Sequence, residues 1–94
     1  MSKKDILKKI KSKRNYIKRF GVKKVGFFGS YMKGKPRKNS DLDVLVEFDE
    51  KTFDNYMDFK FFLENLFKLE IDLVIADSLK PALKPLILKE VIYA

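Results

Sequence analysis

Apolar residues recur at helical spacing in the first part of the chain, with lysines filling the positions between them. This amphipathic pattern predicts a helix from about Lys3 to Phe20. Ser2 is a suitable N-cap, and Gly21 stands where a helix commonly ends in a left-handed residue. The apolar positions of the predicted helix are Ile6, Leu7, Ile10, Tyr16, Ile17 and Phe20.

Two further helices are predicted downstream. Thr52 can cap a helix from about Phe53 to Phe67, and the segment Leu86 to Ile92, after two prolines, predicts a short terminal helix. In the longer helix, apolar residues recur at helical intervals, namely Phe53, Tyr56, Met57, Phe61, Leu63 and Leu66. The cluster of Phe59, Phe61 and Phe62 is too aromatic for one buried stripe, and we expect part of it to form a protein-contact surface.

Three segments are typical of β-strands. Val22–Phe28 is rich in β-branched and aromatic residues, Leu42–Phe48 alternates between apolar and acidic faces, and Ile71–Ile75 is apolar apart from Asp72. The apolar character of the third segment favours a central position in the sheet. We therefore expect an α/β (α+β) fold in which helices flank a small mixed sheet of three to four strands. At 94 residues, the whole of residues 1–94 is expected to form one domain.

Composition excludes several kinds of chemistry. The chain has no cysteine and no histidine, so disulfides, thiolate or imidazole metal sites and histidine general bases are unavailable. Any catalysis must come from carboxylates, lysines, hydroxyls or a metal ion. The sequence shows no signal peptide and no apolar run approaching the roughly 18 residues of a membrane span. We expect a cytoplasmic protein that does not associate with membranes.

Charge is distributed very unevenly along the chain. Residues 1–38 hold 15 of the 21 Lys and Arg residues and one of the 13 acids, a balance of +14, whereas residues 39–94 have a balance of −6. A basic half could attract a nucleoside triphosphate, nucleic acid or an acidic protein surface. A solvated lysine-rich helix face is the simpler alternative.

The stretch from Gly29 to Asp43 combines two features that suggest phosphoryl chemistry. Gly29-Ser30 follows a predicted strand, and small residues there let backbone N–H groups approach phosphate oxygens. Asp41 and Asp43 are two residues apart, so an extended strand projects both from one face, where they could share a divalent cation. Asp72 on an apolar strand would be costly to bury, and the same cation is its simplest partner.

This pattern resembles the minimal nucleotidyltransferases (MNT domains) of the DNA polymerase beta superfamily. Their pattern is Gly-Ser, ten residues, then Asp-x-Asp, and here Gly29-Ser30 precedes Asp41-Leu42-Asp43 at that spacing. The family's second glycine, the serine before the first aspartate and the third acid match Gly34, Ser40 and Asp72. One departure is Lys33, where the family often has Arg, so a planar bidentate contact to phosphate is lost.

The resemblance implies that Asp41, Asp43 and Asp72 are catalytic and hold two Mg²⁺ ions. Nucleotide and phosphate binding are implied for Gly29, Ser30, Lys33, Gly34 and Ser40. Stand-alone MNT proteins resemble MntA-like antitoxins, which transfer AMP from ATP to a tyrosine of a HEPN-domain toxin and release pyrophosphate.

Protein adenylylation is therefore the leading hypothesis for this chain. The alternatives are a non-catalytic MNT-fold binding module and a subunit of a small-molecule nucleotidyltransferase. Direct nucleic-acid binding is disfavoured, because the predicted helix over Phe53 to Phe67 is acidic at Asp54, Asp58 and Glu64.

Overall fold

A computed structural model describes residues 1–36 and 40–94 of the chain. Four α-helices and four β-strands form the regular structure of this part of the protein. In chain order they are α1 (Lys3–Ser12), α2 (Arg14–Ile17), β1 (Val22–Phe28), β2 (Leu42–Phe48), α3 (Phe53–Phe67), β3 (Ile71–Ile75), α4 (Lys84–Glu90) and β4 (Ile92–Tyr93). The bounds of β1, β2, α3 and β3 are those predicted from the sequence. No helix in the described ranges is long and apolar enough to cross a membrane.

The strands form one mixed sheet in the order β3-β2-β1-β4. β1 pairs antiparallel with β2 and with β4, whereas β2 pairs parallel with β3. The predicted mixed α/β fold is confirmed, but the prediction that β3 is central is wrong. Ile71 and Leu73 are buried in the core while β3 lies at the sheet edge. Its apolar character reflects burial of one face and therefore does not fix the order of the strands.

The first predicted helix is divided into three pieces. Ser2 and Asp5 form a capping box at its start, as the sequence suggests, but α1 ends at Ser12. The Ser12 hydroxyl donates to the Lys9 carbonyl at 2.6 Å, a local bond that competes with the helical backbone. After α2, a 3-10 turn over Lys18–Phe20 ends at Gly21, whose φ of 70° is left-handed.

The C-terminal helix ends earlier than predicted, and a strand follows it. Val91 is extended and β4 pairs with the middle of β1, where Gly26 lies opposite Tyr93. A Cβ at position 26 would lie 2.6 Å from Val91 Cγ2 and 2.9 Å from Tyr93 Cδ1. The absence of a side chain at Gly26 therefore lets the C-terminus close against the sheet. This long-range pairing ends a segment whose local pattern is helical.

The main core lies between one face of the sheet and helices α1 and α3. In α3 the fully buried side chains are Phe59, Leu63 and Phe67, whereas Phe53 is 77% exposed and Phe61 is 52% exposed. Phe53 and Phe61 thus share the helical spacing but lie outside the core, whereas Phe59 belongs to it. The Phe59 ring lies 5.8 Å from Phe20 and 6.3 Å from Phe48, in tilted and edge-on arrangements.

Candidate active site

The turn after β1 is compact and has two left-handed glycines. Gly29 has a φ of 78° and Gly34 a φ of 73°, values that L side chains rarely adopt. The amides of Met32 and Lys33 both donate to the Gly29 carbonyl at 3.1 Å, and the Lys35 amide donates to the Ser30 carbonyl at 3.0 Å. We call residues 29–35 the phosphate turn.

Two amides of the phosphate turn remain available for a ligand. Within residues 1–36 and 40–94, the N–H groups of Ser30 and Tyr31 donate no backbone hydrogen bond. The Tyr31 side chain is buried in the core and so fixes the turn against the sheet. Free backbone donors in a fixed turn can approach phosphate oxygens, as the sequence suggested for Gly29-Ser30.

The acidic residues meet at the same end of the sheet as this turn. β1 and β2 run antiparallel, so the end of β1 adjoins the start of β2, and Phe28 is the register partner of Asp43. β2 and β3 run parallel, which places Asp43 opposite Asp72. Asp41 directly precedes β2. The tertiary fold thus brings the three acids that the resemblance selected to one end of the sheet.

Gly29 contacts Asp43 directly. A Cβ at position 29 would overlap the Oδ2 atom of Asp43, so a glycine is required both by the left-handed φ and by the close approach of this carboxyl group. The phosphate turn and the acidic strand are therefore packed against each other. A ligand held by the turn would lie beside the Asp43 carboxyl group.

Burial and the neighbouring carboxyl groups raise the pKa of Asp43. Partial burial, the negative charge of Asp72, a side-chain hydrogen bond with Asp72 and the charge of Asp41 together raise the pKa of Asp43 from 3.8 to about 6. A hydrogen bond between two carboxyl groups requires that one of them holds a proton. Without a cation, this end of the sheet contains mutually repelling charges.

Asp72 is exposed, so the expectation that it is a costly buried carboxylate is wrong. At a sheet edge the residues that alternate with the buried Ile71 and Leu73 face solvent. What places Asp72 in the site is its register with Asp43.

Asp41, Asp43 and Asp72 supply the oxygen ligands of a magnesium site, but their side chains are not gathered around one point. In the described ranges, no group of three acidic side chains is already clustered in metal-binding geometry. The contact between Asp43 and Asp72 nevertheless presents two carboxyl groups whose repulsion a divalent cation would relieve. Carboxylate oxygens are also the ligands that Mg²⁺ prefers. The residues present therefore fit a magnesium ion.

Lys33 forms an ion pair that the sequence did not indicate. Its Nζ lies 3.2 Å from Oε1 of Glu90 in α4, and both side chains are largely exposed. Glu90 is therefore a site neighbour that sequence reasoning missed, since nothing in the local pattern relates it to a turn in the first half of the chain. Ser40 is half-buried immediately before Asp41.

A separate apolar groove runs along the outer edge of β3. It has a volume of about 620 Å³ and contains none of the predicted site residues. The Tyr56 hydroxyl donates to the Leu73 carbonyl at 2.8 Å on this edge, which satisfies one outward-facing backbone acceptor. The groove is lined by Lys51, Thr52, Phe53, Tyr56, Leu73, Val74, Ile75 and Ser78.

A glycine turn packed against paired strand carboxylates is the arrangement of a nucleotidyltransferase. Residues 4–94 match the nucleotidyltransferase domain family, and the chain belongs to that family. A solved structure described as a proposed minimal nucleotidyltransferase superposes with a TM-score of 0.84 at 32% identity. That match covers 98% of this chain and 95% of the other.

One relative in sequence is an MntA protein, and one structural neighbour is an MNT antitoxin. The protein adenylyltransferase MntA of Thermococcus cleftensis is 39% identical over 82 residues, covering 86% of this chain and 83% of the relative. A Shewanella oneidensis MNT antitoxin, solved in complex with a tri-AMPylated HEPN toxin, shares the fold. Its TM-score is 0.58 at 17% identity, over 88% of this chain and 69% of the other. This chain is thus a minimal nucleotidyltransferase domain with MntA-like protein adenylyltransferases among its homologues.

Proposed function

We propose that this protein is a Mg²⁺-dependent protein adenylyltransferase that transfers AMP from ATP to a tyrosine of a HEPN-domain toxin and thereby acts as an antitoxin. The observation that carries the proposal is the contact of Asp43 with both Gly29 and Asp72, which joins a phosphate turn to an acidic cluster. The similarity to MntA supports adenylyl transfer to protein. The shared fold of the MNT antitoxin supports a HEPN toxin as acceptor.

In this proposal the phosphate turn holds the triphosphate. The free amides of Ser30 and Tyr31 donate to phosphate oxygens, and Lys33 supplies a positive charge from the same turn. Ser40 and Gly34 complete the surroundings of the nucleotide, as the family resemblance implies. Because Lys33 is paired with Glu90 in the free protein, nucleotide binding has to compete with an exposed ion pair.

Asp41, Asp43 and Asp72 would hold two Mg²⁺ ions. Bound magnesium would neutralise phosphate charge and make the acceptor hydroxyl more acidic. Asp72 is exposed to solvent and, in this proposal, receives the proton of the acceptor hydroxyl. The tyrosine oxygen forms a bond to the α-phosphorus, the bond between the α-phosphorus and the bridging oxygen breaks, and pyrophosphate leaves with that electron pair.

The test uses the purified protein, ATP labelled at the α-phosphate, Mg²⁺ and a HEPN-domain toxin from the same organism. We expect AMP on the HEPN protein and an equal amount of released pyrophosphate. Asp41→Asn and Asp43→Asn should abolish both products, while Asp58→Asn, which changes an exposed acid on α3, should leave them intact. Labelling that survives the first two substitutions would exclude this site.

The two alternatives give different results in the same experiments. A non-catalytic binding module would still neutralise the toxin in a cell viability assay after Asp72→Asn. A small-molecule nucleotidyltransferase would release pyrophosphate with a hydroxylated small compound in place of the HEPN protein. The adenylyltransferase proposal requires that neutralisation be lost with Asp72→Asn and that pyrophosphate release depend on the protein acceptor.

A further inference from the structure

The C-terminal helix presents apolar side chains to solvent beside the candidate active site. No residue of α4 is buried, and Leu86 is 62% exposed while Leu83, at the helix N-cap, is 48% exposed. Leu83, Leu86 and Glu90 follow one another at intervals of three and four residues, so they lie on one side of the helix. We call these three residues the α4 stripe. Exposed apolar residues that share one surface are typical of interaction sites.

The α4 stripe ends at the phosphate turn. Glu90, its last member, lies 3.2 Å from Lys33, and Lys33 belongs to the turn whose first residue contacts Asp43. A macromolecule that covers the stripe is therefore held beside the phosphate turn. An enzyme that modifies a protein needs such a surface, because the acceptor side chain must be kept in a fixed position during the reaction.

The charges around α4 indicate which kind of partner fits. Residues 80–90 contain three lysines and one acid, and that acid is Glu90, which is already paired with Lys33. Lys80, Lys84 and Lys89 form no salt bridge with any residue in the described ranges. A second copy of this chain would bring two lysine-rich surfaces together, which is unfavourable. Nucleic acid would match the lysines but would gain little from two exposed leucines.

We propose that the α4 stripe is the docking surface for the acceptor protein, whose matching surface is an apolar groove bordered by Asp and Glu side chains. This inference rests on the proposed adenylyl transfer and adds where the acceptor binds. The leucines supply apolar contact area, while the surrounding lysines pair with the acidic border and orient the complex.

The test measures binding of a HEPN-domain toxin from the same organism to four forms of this chain by calorimetry. These are the wild type, Leu86→Ser, Lys84→Glu and the control Phe53→Ser. Leu86 and Phe53 are both highly exposed, so both serine variants should fold, and Phe53 lies in the groove along β3. We expect Leu86→Ser to weaken binding about tenfold or more and Lys84→Glu several-fold, with Phe53→Ser close to the wild type.

ATP·Mg²⁺ binding, measured separately, should be the same in all four forms, so failure of docking is distinguishable from failure of the nucleotide site. Tight HEPN binding by Leu86→Ser, or loss of binding in Phe53→Ser instead, would overturn the docking surface and leave adenylyl transfer standing. A wild-type dimer that Leu86→Ser converts to a monomer, seen by sedimentation, would also overturn it. Wild-type protein that neither binds nor labels the HEPN protein would overturn both proposals.

Discussion

Replacing Asp72 by asparagine should stabilise the metal-free protein even though it removes a proposed catalytic acid. Asp43 and Asp72 face each other in the register of β2 and β3, and this proximity contributes to raising the pKa of Asp43 to about 6. The amide introduced by Asp72→Asn would carry no charge and could donate a hydrogen bond to the Asp43 carboxylate. The substitution therefore removes a repulsion and keeps a side-chain contact.

The magnitude follows from the rise in pKa. A shift of the Asp43 pKa from 3.8 to about 6 corresponds to about 3 kcal/mol at roughly 1.36 kcal/mol per unit. Burial is the largest cause of that shift and Asp43 is partly solvated, so we assign about 1 kcal/mol to the relief that Asp72→Asn provides. In a domain of this size, about 1 kcal/mol raises the melting temperature by roughly 4–8 °C.

The raised pKa of Asp43 also determines how the stability of the protein changes with pH. Because the folded state holds the Asp43 proton more tightly than the unfolded state, the free energy of unfolding falls as the pH rises from about 4 to about 6 and stays low above that range. The advantage of Asp72→Asn should therefore be small near pH 4 and fully developed at about pH 8.

The assay is thermal unfolding followed by circular dichroism in EDTA over this pH range. Asp58→Asn on the exposed side of α3 is the matched control and should change the melting temperature little. Added Mg²⁺ should stabilise the wild type more than Asp72→Asn. A variant that melts at or below the wild-type temperature in EDTA at about pH 8, with an unchanged control, would refute the repulsion between Asp43 and Asp72.

Five further substitutions, two of them controls, test the turn, the core and the ion pair. Gly29→Ala should destabilise the protein by about 2 kcal/mol or more in thermal unfolding and abolish AMP transfer. Gly34→Ala, whose added Cβ meets no atom within 4 Å, should cost only about 1 kcal/mol. Equal losses of stability in the two variants would contradict the overlap with the Asp43 carboxyl group. In urea unfolding, Phe59→Ala should lower the free energy of unfolding by about 3–5 kcal/mol and Phe53→Ala by less than about 0.5 kcal/mol. The reverse order would mean that the other side of α3 is buried. Glu90→Gln removes the ion pair with Lys33 and should tighten ATP binding, measured by calorimetry, by up to about fivefold. Weaker ATP binding would instead show that Glu90 positions Lys33 for the nucleotide.

Several local features followed from the sequence because their causes are local. The bounds of β1, β2, α3 and β3 were predicted correctly since each segment differs from its flanks in residue type. Thr52, for example, caps α3 because its side chain accepts from the Asn55 amide. The spacing of Gly29, Asp41 and Asp43 identified the candidate site for the same reason. Residue type and spacing select these residues, and the pairing of β1 with β2 then brings Gly29 against Asp43.

The features that needed the tertiary structure depend on contacts between distant segments. An apolar strand can lie in the centre or at the edge, so the position of β3 and the exposure of Asp72 depend on which strands pair. The buried stripe of α3 includes Phe59 because Phe20 and Phe48 pack there, which helical spacing alone does not encode.

The same distinction holds at the site itself. The sequence determined which side chains could bind phosphate and metal, because residue type and short-range spacing fix that chemistry. The fold decided that Asp43 meets Asp72 and that Glu90 holds Lys33, since strand register and the packing of α4 join residues far apart in the chain.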